Sequence, residues 1–323
     1  MPRAQNLRCL GAGAFALALS ACVPAIESPK PAARPTTVSA PSAQAKPETR
    51  PSAQSRALSQ YYRDLQSDLL ANDLLRTDGG GPDTPFSART LARNFEDIAL
   101  FDEYASINGQ YVTQTTPTTL HRWDDSVRLG LVFGESVSAA QRSEDRKTLT
   151  ALAARLSAAT GHPIGLNASP NFTIFIIGHD DRAGLGAQIA QRIPGISAAA
   201  LRTVETLPRS IYCLAFASDP DNDGVYERAV AVIRAEHPSL LRRACLHEEV
   251  AQGLGLGNDS PHARPSIFND DEEFALLTRH DELLLSILYD PRLSPGMNAQ
   301  TARPIVARIA QELLEDAPTG SVQ

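Results

Sequence analysis

The sequence predicts an α+β domain: a twisted mixed sheet with backing helices and one helix that carries a motif. Three observations lead there. Val127–Phe133 (VRLGLVF) and Phe172–Ile177 (FTIFII) are apolar runs of strand length, and between them Ala139–Thr160 is a long amphipathic stretch closed by Gly161. Ile211–Ala217 and Ala229–Ala235 read as two further strands flanking a turn. Pro238 then opens a helical segment, followed by a loop and a final helix. The order strand, helix, strand, helix, strand, strand, helix, helix suits one sheet with helices packed behind it. With 323 residues, 42% hydrophobic and 21% charged, the chain fits one domain plus a tail.

Taken in order, residues 1–21 read as an export signal. Arg3 and Arg8 give a positive start, and Leu10–Leu19 is apolar but too short for a stable membrane span. Leu19-Ser20-Ala21-Cys22 resembles a bacterial lipobox, which implies cleavage before Cys22 and lipidation of its thiol. Several acyl chains, at about 0.8 kcal/mol per buried CH₂, suffice for stable anchoring. The other reading is an ordinary secretory cleavage beside a chance cysteine. Val23-Pro24 offers no Asp retention signal, which directs the expectation to the outer membrane, facing the periplasm of a bacterial envelope. Residues 22–55 hold the lipidated Cys and a tether of Pro, Ala, Ser and Thr with too little apolar surface to offset chain entropy.

The folded domain is placed at 56–323. Leu58–Leu75 shows helical periodicity, and Gly79-Gly80-Gly81-Pro82 is a loop without the Lys-Ser/Thr of a phosphate site. Ser87–Glu96 is a second helix with Ser87 as its cap. Ile98–Ala105 reads as strand or helix end, and the Thr-rich stretch to Thr119 as polar loop. Residues 181–193 read as helix or loop, capped by Asp180 or Asp181.

The most informative stretch is Cys245–Leu256, CLHEEVAQGLGL, followed by Gly257-Asn258-Asp259. A zinc peptidase helix places two His one turn apart as H-E-x-x-H, with Glu beside them to activate a metal-bound water. The extended form adds x-x-G-x-x-H. Aligned on Leu254-Gly255-Leu256, the two helix His positions fall on Glu248 and Gln252, the catalytic Glu on Glu249, the Gly on Gly255 and the third ligand on Asn258. Taking His247-Glu248 as His-Glu puts the second His on Ala251, so neither register holds two His.

On these residues the chain resembles a metzincin or zincin whose zinc ligands are gone. Ser266-Ile267-Phe268 stands where a Met-turn would sit, and Leu277–Asp290 where the final helix would. The resemblance implies a zincin-like frame without zinc. The chain also resembles a proteobacterial lipoprotein family, domain of unknown function 2927. The carrying residues are Glu248-Glu249, Gln252–Leu256, Asn258-Asp259, Pro265–Asp271, Leu288–Pro291 and Pro295–Met297. That family implies no activity.

Other chemistry is sparse. Cys213 and Cys245 are left after the signal and lipid cysteines, and an oxidising compartment favours their disulfide over two buried thiols. Asp219-Pro220-Asp221-Asn222-Asp223-Gly224 opens like a calcium loop, but Val230 stands where the bidentate Glu belongs, and Asn-Asp-Gly is a good hairpin turn. An oxygen-only site from Glu248, Glu249, Gln252 and Asp259 is the remaining metal option. His262 and His280 lie near the would-be cleft outside zinc spacing, and Asp281 reads as a helix cap. No G-x-S-x-G occurs. The net charge of -7, taken to -9 when Arg3 and Arg8 leave, argues against nucleic-acid partners. The expectation is an envelope lipoprotein with a non-catalytic domain, no cofactor, and a peptide, cell-wall or envelope-protein ligand. The rival is a metal-dependent hydrolase using Glu249 as general base.

Overall fold

The computed structural model describes residues 50–107, 110–269 and 271–315, with backbone alone for 103–107 and 110–114. The signal, Cys22 and residues 23–49 lie outside the described residues. Among the described residues no helix is long and apolar enough to cross a membrane.

The centre is a five-stranded sheet. Its strands are β3 (Val127–Phe133), β4 (Ile164–Leu166), β5 (Phe172–Ile177), β6 (Cys213–Ser218) and β7 (Arg228–Arg234), in the order β4-β3-β5-β7-β6. Every pairing is parallel except β6 against β7. The mixed α+β class read from the sequence is the class observed. FTIFII is wholly buried because it lies mid-sheet with both faces covered. Its residues alternate: Ile174 and Ile176 join one hydrophobic cluster, Phe175 and Ile177 another.

The first cluster gathers α2 (Ala88–Ala99), α3 (Ala139–Thr160), α6 (Ser239–Gln252), α7 (Arg279–Leu288) and α8 (Ala299–Glu315). The second lies under α4 (Leu185–Arg192) and α5 (Ala198–Thr206). Helices therefore cover both faces, not only the back. The first helix, α1 (Ala53–Ala71), packs through Tyr62 on Leu241 of α6.

Several boundaries differ from the sequence reading. Ser52 caps α1, which ends before Leu75 because Asp73 and Leu75 take positive φ. The Thr-rich stretch is no loop: β1 (Phe101–Ile107) and β2 (Gln110–Pro117) pair as an antiparallel hairpin, where β-branched Thr is at home. Asp181 does not cap α4. Its carboxylate accepts from the Ser136 backbone and hydroxyl, tying the loop after β3, while Gly184 stands at the α4 cap. Asp281 is not the α7 cap either. Thr278 caps, and Asp281 completes a capping box from the third helical position. Nor is α7 the final helix, since α8 follows. Ser87 caps α2, and Gly161 closes α3 at φ +67, as read from the sequence.

Candidate functional site

α6 owes its position to two faces. Leu246, Val250 and Leu254 are fully buried in the main core, and Gly253 lies so close to the Phe172 ring that a Cβ would overlap it. Trp123 Nε1–H donates to the Gly253 carbonyl oxygen at 2.8 Å, which satisfies one of the orphan carbonyls at this helix end. Its ring stacks on Phe172 with centroids 6.4 Å apart. At the other end, the buried Arg242 bonds Asp145 of α3 at 2.6 Å and the His237 carbonyl at 2.7 Å.

The opposite face of α6 looks into a groove of about 600 Å³. Its floor is Glu248, Glu249 and Gln252, and Gly257, Asp259 and Glu272 close one end. One wall is β6, an edge strand with no described strand on its outer side. The facing wall comes from Thr203 and Thr206 of α5 with Pro208 and Ser210. A disulfide between Cys213 and Cys245 bolts β6 to α6, with Cα atoms 5.9 Å apart. Tyr212, Phe216 and Tyr226 add aromatic surface. Burial pushes the phenols of Tyr226 and Tyr212 up, so both remain neutral near pH 7.

The groove is acidic. Four carboxylates line it, Glu248, Glu249, Asp259 and Glu272, with no Lys, Arg or His among the described lining residues. Oxygens of Glu248 and Glu249 lie within 4.8 Å of each other and of the Cys213 sulfur. The Cys213 sulfur adds no thiolate, because the disulfide consumes it. What remains is a pair of hard oxygen donors from adjacent positions, a poor match for zinc.

The motif positions divide. Glu248, Glu249, Gln252 and Asp259 meet in the groove. Gly255 and Asn258 do not. Gly255 sits at φ +122 against the His121 carbonyl, and the buried Asn258 amide donates to the Asp97 carbonyl at 2.7 Å. His247 turns to the interior, where Nδ1 accepts from the Leu277 N–H at 3.0 Å. His280 is a core residue beside Asn94, not a solvated loop side chain, while His262 is exposed. The turn Ser266-Ile267-Phe268 is held by buried Asp281, which accepts from the Ser266 hydroxyl and the Ile267 N–H.

The Asp219 carboxylate accepts from the N–H groups of Asp223 and Gly224, so it closes the β6–β7 turn. Sequence reasoning missed Glu272 and the α5 wall. Glu272 has no place in the motif, and its backbone oxygen is where the chain after α1 arrives, accepting from the Leu75 N–H.

These features define a mixed-sheet α+β domain with one acid-floored groove between an antiparallel edge strand and its motif helix. The chain belongs to the family described as Protein of unknown function (DUF2927), whose model matches residues 88–308, more than half of its length. No curated protein and no solved structure matches it.

Proposed function

We propose that the chain is a lipid-anchored protein of the bacterial envelope, periplasm-facing and held at the outer membrane through Cys22. In this reading its zincin-like domain is a non-catalytic receptor, and the groove between β6 and α6 takes an extended peptide. One observation carries the groove reading: the outer edge of β6 runs along a cavity whose floor is the helix with Glu248 and Gln252 at the positions where zinc ligands would stand. An unpaired edge offers backbone N–H and C=O groups to an added strand, and the flanking pocket reads alternate side chains. The basic start, short apolar run and Leu-Ser-Ala-Cys box support the anchor.

Two measurements test the reading. Labelled palmitate should enter the chain and be lost in Cys22→Ser. A photo-crosslinker placed at Phe216 should capture peptide; adducts only at remote positions would remove the groove from the account.

A second reading, a metal-dependent hydrolase with Glu249 as general base, is favoured by the place of Glu249 on the groove floor. Elemental analysis separates the two. Stoichiometric metal together with peptide hydrolysis lost in Glu249→Gln would establish the enzyme.

A further inference from the structure

We propose that the disulfide on the groove wall is a thiol-exchange site: an incoming thiolate attacks Cys213 Sγ, and Cys245 leaves beside His237. The first ground is asymmetry. Cys213 lines the groove from β6 and is half-buried, and its sulfur lies within 4.8 Å of carboxylate oxygens of Glu248 and Glu249 on the groove floor. β6 is an edge strand, so no described strand covers that wall from outside. Cys245 is 3% exposed and belongs to the main hydrophobic cluster. A nucleophile in the groove therefore meets one sulfur of the pair and not the other, and access decides which sulfur is attacked.

The second ground is what stands behind the bond. His237 Nδ1 lies 3.7 Å from Cys245 Sγ, a hydrogen-bond distance for sulfur, and both side chains are buried. Burial, with Arg234 and Arg242 nearby, holds the imidazole neutral, so it carries one ring hydrogen. The Nδ1–H tautomer donates that hydrogen to the departing thiolate. Edge contacts with Tyr62 and Tyr212 hold the ring in place. The step balances. The attacking thiolate forms an S–S bond to Cys213 as the Sγ–Sγ bond breaks, and the electron pair leaves on Cys245. The proton that the attacking thiol gave up to solvent returns to Cys245. The products are a mixed disulfide on Cys213 and a thiol at Cys245. The ligand class is a thiol, and a small one suffices, so the site stands or falls apart from the peptide reading above.

The test is timed exchange of the full mature chain, folded in detergent micelles, with mercaptoethanol, a neutral thiol. Samples are quenched with acid, free thiols are alkylated and the peptides are mapped. The adduct should sit on Cys213 with Cys245 alkylated, at least about tenfold over the reverse pattern, as the difference in access requires. Its rate should rise linearly with thiol concentration and stay flat in urea too dilute to unfold the domain. His237→Phe keeps a ring against Tyr62 and Tyr212 and removes the donor. It should slow adduct formation by about threefold or more, because a less stabilised thiolate leaves more slowly. A merely structural loss would loosen the wall and speed exchange, so the sign of the change separates the two roles.

An adduct on Cys245, or one shared equally between the two cysteines, would overturn the site. So would a folded protein that forms no adduct, or a rate that climbs steeply in dilute urea and so follows global unfolding. Exchange as fast or faster in folded His237→Phe would overturn the part given to His237. If that variant does not fold, the wild-type adduct map and urea series decide.

Discussion

Arg242 Nε lies 2.6 Å from Asp145 Oδ1, with both side chains buried, so an ion pair sealed from water joins α3 to the start of the motif helix. Burial pushes the Asp145 carboxyl up even with the guanidinium beside it. The pair therefore holds position more than it stabilises. Removing one partner is costly all the same. Asp145→Ala should lose about 3 kcal/mol, because it leaves the buried Arg242 with only the half-exposed Glu144 carboxylate, 3.4 Å from Nη2, as its acid partner. The double replacement Asp145→Leu/Arg242→Met should recover most of that loss. Urea unfolding of the three proteins checks this, and a double variant as weak as Asp145→Ala would show that the charges do more than locate the helix.

The disulfide closes a loop with a sequence separation of 32 between Cys213 and Cys245. Constraining the unfolded chain over that length contributes about 3–4 kcal/mol in the chain-entropy treatment. Cys213→Ser/Cys245→Ser should unfold at correspondingly lower urea, and the wild type under reductant should match it. A second effect follows from location. Cys213 lines the groove, so reduction loosens one wall and, under the proposed peptide-binding function, should weaken peptide binding even where the domain stays folded.

Acid sensitivity should come from two histidines kept neutral. Burial, with Arg155 and Arg243 nearby, brings His247 from 6.5 down to about 3, against a weak opposite pull from Asp281. Burial, Arg234 and Arg242 hold His237 well below its ordinary value. A depressed imidazole pKa favours the neutral form in the fold. Its stabilisation is complete above pH about 6.5 and is lost as pH falls toward the folded value. Each such group adds a slope of up to about 1.4 kcal/mol per pH unit within that window. His247→Asn keeps an acceptor for the Leu277 N–H and removes the proton site. The difference between wild-type and variant unfolding curves from pH 7 to pH 4 should isolate one proton, and a parallel pair of curves would exclude His247 as its source.

Gly255 is required by the backbone and not by the groove. At φ +122 and against the His121 carbonyl, an added Cβ is strained and overlaps main chain that cannot withdraw. Gly255→Ala should cost at least about 2 kcal/mol. Gly257 meets nothing within 4 Å of an ideal Cβ, so Gly257→Ala should fall within about 0.5 kcal/mol of wild type. Thermal melts of the two variants compare them directly.

The sheet was legible because its strands carry their own period and bounds. VRLGLVF and FTIFII match β3 and β5 to the residue, and Ser87 and Gly161 cap as their chemistry dictates. β1 was half read, as strand or helix end over Ile98–Ala105, whereas β2 was taken for loop because the run Thr113-Gln114-Thr115-Thr116 carries no apolar alternation. α5 was lost because Ala198-Ala199-Ala200 gives little amphipathic contrast. At the site, Glu248, Glu249 and Gln252 were visible as one helix face. Glu272 and the wall of Thr203 and Thr206 were not, since they reach the groove through tertiary packing that no local spacing encodes. Asn258 shows the opposite error. Alignment to a ligand position put it in the cleft, whereas its side chain is consumed by the Asp97 carbonyl.

Trp123 is the only tryptophan in the chain, and its indole is bonded to the last turn of the motif helix beside the groove residue Gly253. All indole emission from this protein thus originates at one known spot, a buried ring in contact with Phe172 and Tyr226. The domain carries its own optical gauge: a shift in wavelength or quenching reads displacement at the helix end without any label attached.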